Sequence, residues 1–290
     1  MKYRRILITV LIFIMVYLIY GSNNYDNNYN SQLSDLGGNF KTAVTTVAES
    51  EKITMKNDMD IFGWGLSKKP GIPDPQPDPG KDILIKKYGA LYIGDKTKKV
   101  IYLTFDEGYE NGYTNKILDV LKENQLRVVF FITGPYLKDH SDIVKRMLSE
   151  GHEIGNHSVR HPSLPTISDK EIEEEILGLD RAFFEMTEKH MRFLRPPKGE
   201  YNERTLELTN NLGYTNLFWS FAYFDWDPKK QKGAEYAKQK IIEGFHNGEV
   251  MLLHAVSVDN ANVLDSVIKE AKVQGYLFGT PDELYNFNKK

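Results

Sequence analysis

The chain has 290 residues, of which 41% are hydrophobic and 27% charged, proportions that exclude a polytopic membrane protein, a collagen-like fibre and a wholly disordered chain. Its 37 Lys+Arg against 40 Asp+Glu leave a net charge of −3, without the concentrated basic surface that nucleic acid demands as a partner. Cysteine is absent, which excludes disulfides, thiolate zinc sites and cysteine nucleophiles, so any metal has to be held by His and carboxylates.

Lys2, Arg4 and Arg5 precede the uncharged apolar run Ile6–Tyr20, the basic and hydrophobic regions of an export signal. Residues 1–22 are therefore read as a signal peptide or a membrane anchor. No A-x-A cleavage site follows, and the bulky Ile19 and Tyr20 precede Gly21 and Ser22, which favours the uncleaved anchor. Gly21–Asn30 contains five Asn and no aliphatic residue and reads as a solvated spacer. A short amphipathic helix is expected between Phe40 and Asp60. Pro70, Pro73, Pro75, Pro77 and Pro79 crowd five of the twelve prolines into ten residues, marking a boundary or an extended strap lying on the domain. The spacer and strap together are assigned to residues 23–80.

From Lys81 to residue 290 short apolar runs alternate with longer stretches of helical period. Strands are predicted at Val100–Phe105, Val128–Thr133, Glu153–Asn156, Met191–Leu194, Asn216–Phe221, Val250–His254 and Tyr276–Gly279. Helices are predicted at Thr114–Glu123, Ser141–Glu150, Ser168–Lys189, Asn202–Leu212, Gly233–Phe245 and Asp259–Val273. Ser168 with Glu171, and Thr280-Pro281 with Glu283, are capping-box signatures that mark two helix starts. About seven β–α units imply an α/β fold with a parallel sheet, doubly wound or closed as a barrel.

The polar residues collect where the strands end. Asp106-Glu107-Gly108, Asn156-His157, Arg195-Pro196-Pro197, Asp225-Trp226 and His254 each follow a different strand, and in a β/α barrel that face carries the active site. His157 and His161 stand four residues apart in a loop or single turn, so both imidazoles reach one side, as two cis ligands of a metal would. Adjacent Asp106 and Glu107 would repel one another at a buried strand end unless a cation lay between them. Arg195, held by two prolines, is suited to pair with a carboxylate and keep it ionised. Trp226 suits stacking on a sugar ring, or is simply core.

Taken in order, Thr104-Phe105-Asp106-Glu107-Gly108, His157-Ser158-Val159-Arg160-His161, Arg195-Pro196-Pro197-Lys198-Gly199, Asp225-Trp226 and Leu252-Leu253-His254 resemble the five motifs of the polysaccharide deacetylases, carbohydrate esterase family 4. Trp64-Gly65, the proline strap, Tyr92-Ile93-Gly94-Asp95 and the stretch Asp106–Thr114 are similar to the subclass that deacetylates N-acetylmuramic acid of peptidoglycan, towards the muramic δ-lactam of spore cortex. The resemblance implies a distorted, incomplete (β/α)7–8 barrel. It implies Asp106 as general base, His254 as general acid, Arg195 paired with Asp106, and Asp225 orienting Arg195. It implies a divalent metal, with zinc the expected identity, on Glu107, His157 and His161. Leu253 and Trp226 would line the acetyl pocket, the backbone N–H of Lys198 would stabilise the oxyanion, and Tyr109 would contact substrate. Most of the family has Asp where this chain has Glu107, one methylene longer, so a metal held mainly by the two histidines is an alternative. The implied partner is the peptidoglycan glycan strand, met outside the membrane to which the N-terminal segment anchors the chain.

Rival readings differ in what they leave idle. A glycosidase would use Asp106 and Asp225 and leave His157, His161 and His254 without a role. A non-catalytic glycan-binding wall protein would keep the aromatics and tolerate loss of the carboxylates. Within the deacetylases, N-acetylglucosamine or chitin-like oligomers are the alternative substrates.

Overall fold

The structure, a computed structural model, describes residues 60–67 and 75–287. The expected export segment, most of the spacer, the Phe40–Asp60 helix apart from its last residue, and Pro70 and Pro73 lie outside these residues. Eleven strands and nine helices are present among the described residues. In chain order they are β1 (Phe62–Gly63), β2 (Leu66–Ser67), β3 (Gln76–Pro77), α1 (Lys81–Lys87), β4 (Val100–Glu107), α2 (Thr114–Glu123), β5 (Val129–Ile132), α3 (Gly134–Asp139), α4 (Ser141–Ser149), β6 (Glu153–Asn156), α5 (Asp169–Thr187), β7 (Phe193–Leu194), β8 (Glu200–Tyr201), α6 (Glu203–Asn211), β9 (Thr215–Asn216), α7 (Ala234–Gly244), β10 (Glu249–His254), α8 (Val258–Val273), β11 (Leu277–Phe278) and α9 (Pro281–Phe287).

Six strands run parallel in the order β10-β4-β5-β6-β7-β9, and β11 pairs with the start of β4. The chain beyond β9 comes back to β10 through an isolated bridge, Phe221 to Met251, with Ser220 N–H donating to Val250 O at 2.9 Å. The sheet thereby bends into the distorted, incomplete barrel, surrounded by helices. Strand β5 reads Val-Phe-Phe-Ile and is buried throughout, as expected for a parallel strand covered on both faces. Helix α5 buries Ile172, Ile176, Leu179 and Phe183 on one stripe, the three-and-four spacing of an amphipathic helix. Its start is fixed by the capping box of Ser168 and Glu171.

The alternation of side chains along the strands sorts the core into layers. Tyr102, Phe131, Phe193 and Val250 fill the barrel interior, whereas Leu103, Phe105, Phe130, Ile132, Met251 and Leu253 face the helices. This parity determines which polar residues can meet at the mouth.

Residues 60–67 are part of the domain. Strand β1 pairs antiparallel with β8, and Trp64 packs with Tyr92, Tyr201 and Phe218. Gln76–Pro77 forms a two-residue antiparallel ladder with Leu66–Ser67. The described part of the strap is therefore sheet-paired, because β2 offers it a free edge, and the compact unit begins before Lys81.

Candidate active site

A cavity of about 720 Å³ opens at the carboxyl ends of the strands, lined by Asp106, His157, His161, His254, Lys198, Tyr109 and Trp226 among others. Asp106 comes from the inward side of β4, and the register of β4 on β10 sets it directly beside His254. Arg195 follows β7 and is fully buried. Its Nη1 donates to Asp106 Oδ1 at 2.7 Å, its Nη2 to Thr104 Oγ1 at 2.9 Å and its Nε to the Leu217 carbonyl at 3.0 Å. Its guanidinium also lies over the Phe131 ring, 4.2 Å from the centroid. Burial opposes the charge of Asp106, but Arg195, His157 and His254 together hold its carboxyl below the usual range. A carboxylate kept ionised in a dry site is a competent proton acceptor.

His254 faces the same cavity from β10. Its Nδ1–H donates to Asp225 Oδ1 at 2.7 Å, and its backbone N–H donates to Asp225 Oδ2 at 2.8 Å. Burial disfavours the imidazolium, yet the charge and hydrogen bond of Asp225, with Asp106 beyond, raise its pKa above the ordinary histidine value. A cationic imidazole with a fixed ring can release a proton to a leaving group.

Asp225 accordingly does not orient Arg195. Its carboxylate is shared between His254 and Asn260, whose Nδ2 donates to Oδ2 at 2.7 Å. Leu217, Thr104 and the Phe131 ring orient Arg195 instead. Asn260 and Thr104 were not foreseen from sequence. Asn260 lies in the first turn of α8, where only its backbone bond to the Ser257 cap has a local signature.

The histidine pair occupies the loop after β6, as its spacing implied. His157 Nδ1–H donates to the Arg195 carbonyl at 2.8 Å, leaving Nε2 as the free lone pair. That atom lies 3.1 Å from His161 Nε2 and 3.4 Å from Asp106 Oδ2. Burial holds both imidazoles towards neutrality, His161 down to about 4. Ser158 and His161 both take left-handed backbone conformations, with φ of 64° and 59°, a strain characteristic of functional loops. Asn156 Oδ1 accepts from Ser158 N–H at 2.9 Å and Ser158 Oγ accepts from His161 N–H at 2.9 Å, which holds that shape.

Glu107 does not join them. It follows Asp106 in β4 and so projects to the opposite face, towards the helices. There it is fully buried, and neither carboxylate oxygen has a hydrogen-bond partner. Burial, then the charges of Glu110 and Asp106, raise its pKa well above the usual carboxylate value, and its place on the opposite face of β4 keeps it away from the histidines. No group of three His, Asp or Glu side chains arranged for a metal occurs among the described residues. Two neutral imidazoles whose Nε2 atoms are 3.1 Å apart nonetheless match the spacing of about 3.0–3.4 Å between cis donors on one ion at about 2.1 Å bonds, so the pair fits a metal while the expected carboxylate does not. Leu253 is corrected on the same ground of parity: it is in the helix-facing core, and Leu252 lines the cavity.

Trp226 and Tyr109, each half exposed, stand at the rim, with the Trp226 ring 5.9 Å from that of His254. Trp64 and Trp219 add an aromatic wall held by the Trp64 Nε1–H bond to the Trp219 carbonyl at 2.8 Å. Trp219 has no signature in the sequence beyond being aromatic.

The sequence profile of the family described as polysaccharide deacetylase matches residues 93–217. The chain is 46% identical over 226 residues to the peptidoglycan-N-acetylmuramic acid deacetylase PdaA of Bacillus subtilis (strain 168), covering 77% of this chain and 85% of that one. The solved structure of Bacillus subtilis PdaA, a family 4 carbohydrate esterase, superposes with a TM-score of 0.76 at 43% identity over 80% of this chain and 99% of that chain. The peptidoglycan-N-acetylglucosamine deacetylase PgdA of Listeria monocytogenes is 36% identical over 190 residues, covering 66% of this chain and 40% of that one. The ordered motifs, the shared barrel and these likenesses have one explanation: the chain belongs to the polysaccharide deacetylase family, carbohydrate esterase family 4, and is a hydrolase acting on amide bonds.

Proposed function

We propose that the chain removes the acetyl group from N-acetylmuramic acid of peptidoglycan, a step towards muramic δ-lactam in spore cortex. The reading rests on one observation above all: Asp106 and His254 stand side by side on neighbouring strands at the mouth of one cavity. Identity to the muramic deacetylase PdaA supports the choice of sugar. The basic and apolar segment before Gly21 supports action outside the membrane, by an exported or anchored chain.

In the proposed reaction Asp106 accepts a proton from water as the water oxygen bonds to the acetyl carbonyl carbon. His254 then donates its proton to the amide nitrogen as the C–N bond breaks, giving acetate and a free amine. Asp225 and Asn260 hold the His254 ring in place, and Arg195 keeps Asp106 ionised. The backbone N–H of Lys198 is the proposed donor to the oxyanion. His157 and His161 would hold a divalent metal, with zinc the expected identity, which when bound supplies Lewis acidity at the acetyl oxygen. Trp226 and Tyr109 offer faces for the sugar rings.

The glycosidase reading is disfavoured because Asp225, its second carboxylate, is already bound to His254 and Asn260. Mass spectrometry of muramic- and glucosamine-containing glycan fragments, before and after incubation with and without a chelator, tests the proposal. Loss of acetyl from the muramic ring supports it. Loss from glucosamine alone moves the function to the substrate of PgdA, and release of reducing sugar without acetate overturns it.

A further inference from the structure

Among the apolar residues that α5 turns to the core, Ile172, Ile176, Leu179 and Phe183, stands one carboxylate, Glu175. Its side chain is fully buried, in a place where an aliphatic residue would fill the core without giving up water. Its ion pair with Arg160 does not account for it. The Arg160 side chain is 72% exposed, so its charge is solvated with or without a partner, and apolar residues of similar volume often match or better a buried ion pair in stability.

What the carboxylate does is hold the loop after β6. Its Oε2 accepts from the Arg160 backbone N–H at 2.7 Å and its Oε1 from Arg160 Nε at 2.5 Å. Its backbone carbonyl accepts from Val159 N–H at 3.1 Å, and the next carbonyl, of Ile176, accepts from Asn156 Nδ2 at 2.9 Å. The two histidines of this loop are anchored differently. His157 is tied to the sheet, its N–H donating to the Ile132 carbonyl at 3.0 Å and its ring to the Arg195 carbonyl. The bonds of His161 stay inside the loop, with its N–H on Ser158 Oγ and its Nε2 against that of His157. They fix the shape of the loop and not its place. Ser158 and His161 are both left-handed, and such backbone persists only where the surroundings over-determine it. The grip of Glu175 on Arg160, the residue next to His161, supplies that constraint.

We propose that Glu175 is the positioning residue for His161: by holding Arg160 to α5 it sets His161 Nε2 against His157 Nε2 and so fixes the affinity of the pair for a divalent metal. The assignment rests on the reading of the two histidines as metal holders given above.

The test measures zinc dissociation constants on the metal-stripped, full-length chain by competition with a chromogenic chelator, beside the melting temperature of the same samples without zinc. Glu175→Gln replaces one of the two acceptors by an NH₂ group, and Glu175→Met keeps the bulk with no oxygen at all. Both should weaken zinc binding by about 10- to 100-fold, the range for groups that hold metal ligands in place, while Glu175→Met melts close to wild type. Phe183→Leu, two turns further along the same buried face, should melt lower and bind zinc as wild type does. Wild-type zinc affinity in both Glu175 variants overturns the assignment and leaves the metal reading standing. Equal weakening in Phe183→Leu also overturns it, because the loss then follows the helix and not the carboxylate. No zinc uptake by wild type overturns both readings. Should Glu175→Met not fold, the comparison of Glu175→Gln with Phe183→Leu decides.

Discussion

Asp225 and Asn260 act through His254, and the sign of their effect can be measured. Because Asp225 raises the His254 pKa, Asp225→Asn lowers it, and the proton needed by the leaving amine is lost at a lower pH. The alkaline limb of the kcat/KM profile should therefore move to lower pH, with kcat down by roughly 10²–10⁴-fold; an unmoved limb would remove His254 from the role of acid. Glu107 gives the opposite expectation. On the helix side of β4, buried and with its pKa raised by that burial, it is closely mimicked by glutamine. Glu107→Gln should keep acetate release within about threefold and change stability by about 1 kcal/mol or less. A large loss of bound metal, measured by atomic absorption, would restore Glu107 as a ligand.

At the scale of elements, the tight place is between β5 and β6. Gly155 lies opposite Phe131, and a Cβ on Gly155 would come 2.5 Å from the Phe131 ring. That ring supports the Arg195 guanidinium from below, and Arg195 holds Asp106. Gly155→Ala should cost about 1–3 kcal/mol in thermal or denaturant unfolding and lower kcat as well, since the displaced ring pushes on the ion pair. Stability loss with an unchanged kcat would show that the sheet absorbs the shift without passing it to the site. Much at this scale was legible from sequence. Helix α2 has its predicted bounds, Thr114–Glu123, and β6 its predicted bounds, Glu153–Asn156, because apolar periodicity and flanking turn residues mark both ends. Helix α3 was not foreseen: six residues beginning Gly-Pro carry too little period, and its Tyr136 and Leu137 are buried only through the packing around them.

For the molecule as a whole, acid sensitivity and the N-terminal edge are the consequences of packing. Burial lowers the His152 pKa to about 4, while an unfolded histidine titrates near 6.5. Between those values the unfolded chain binds the extra proton, so stability is fully present above pH 6.5 and falls as pH drops towards 4, by about 3 kcal/mol from this residue. His161, lowered to a similar value, acts in the same sense. His152→Phe should flatten that part of a plot of melting temperature against pH, at a lower plateau because Val128 N–H loses its acceptor on the His152 ring; an unchanged slope would count against His152. A chain starting at Lys81 would lose Trp64 from its cluster and should be less stable by about 3–5 kcal/mol than one starting ahead of Asp60, compared by denaturant titration.

By itself the sequence determined the alternation of strands and helices and the collection of Asp106, His157, Arg195, Asp225 and His254 at strand ends, because local period and turn chemistry are written in neighbouring residues. Only the tertiary structure decided which of those groups meet. Strand parity turned Glu107 and Leu253 away from the cavity, and the neighbouring strand gave Asp225 to His254 rather than to Arg195. Such choices depend on register between segments far apart in the chain, and side-chain direction flips with every single residue along a strand.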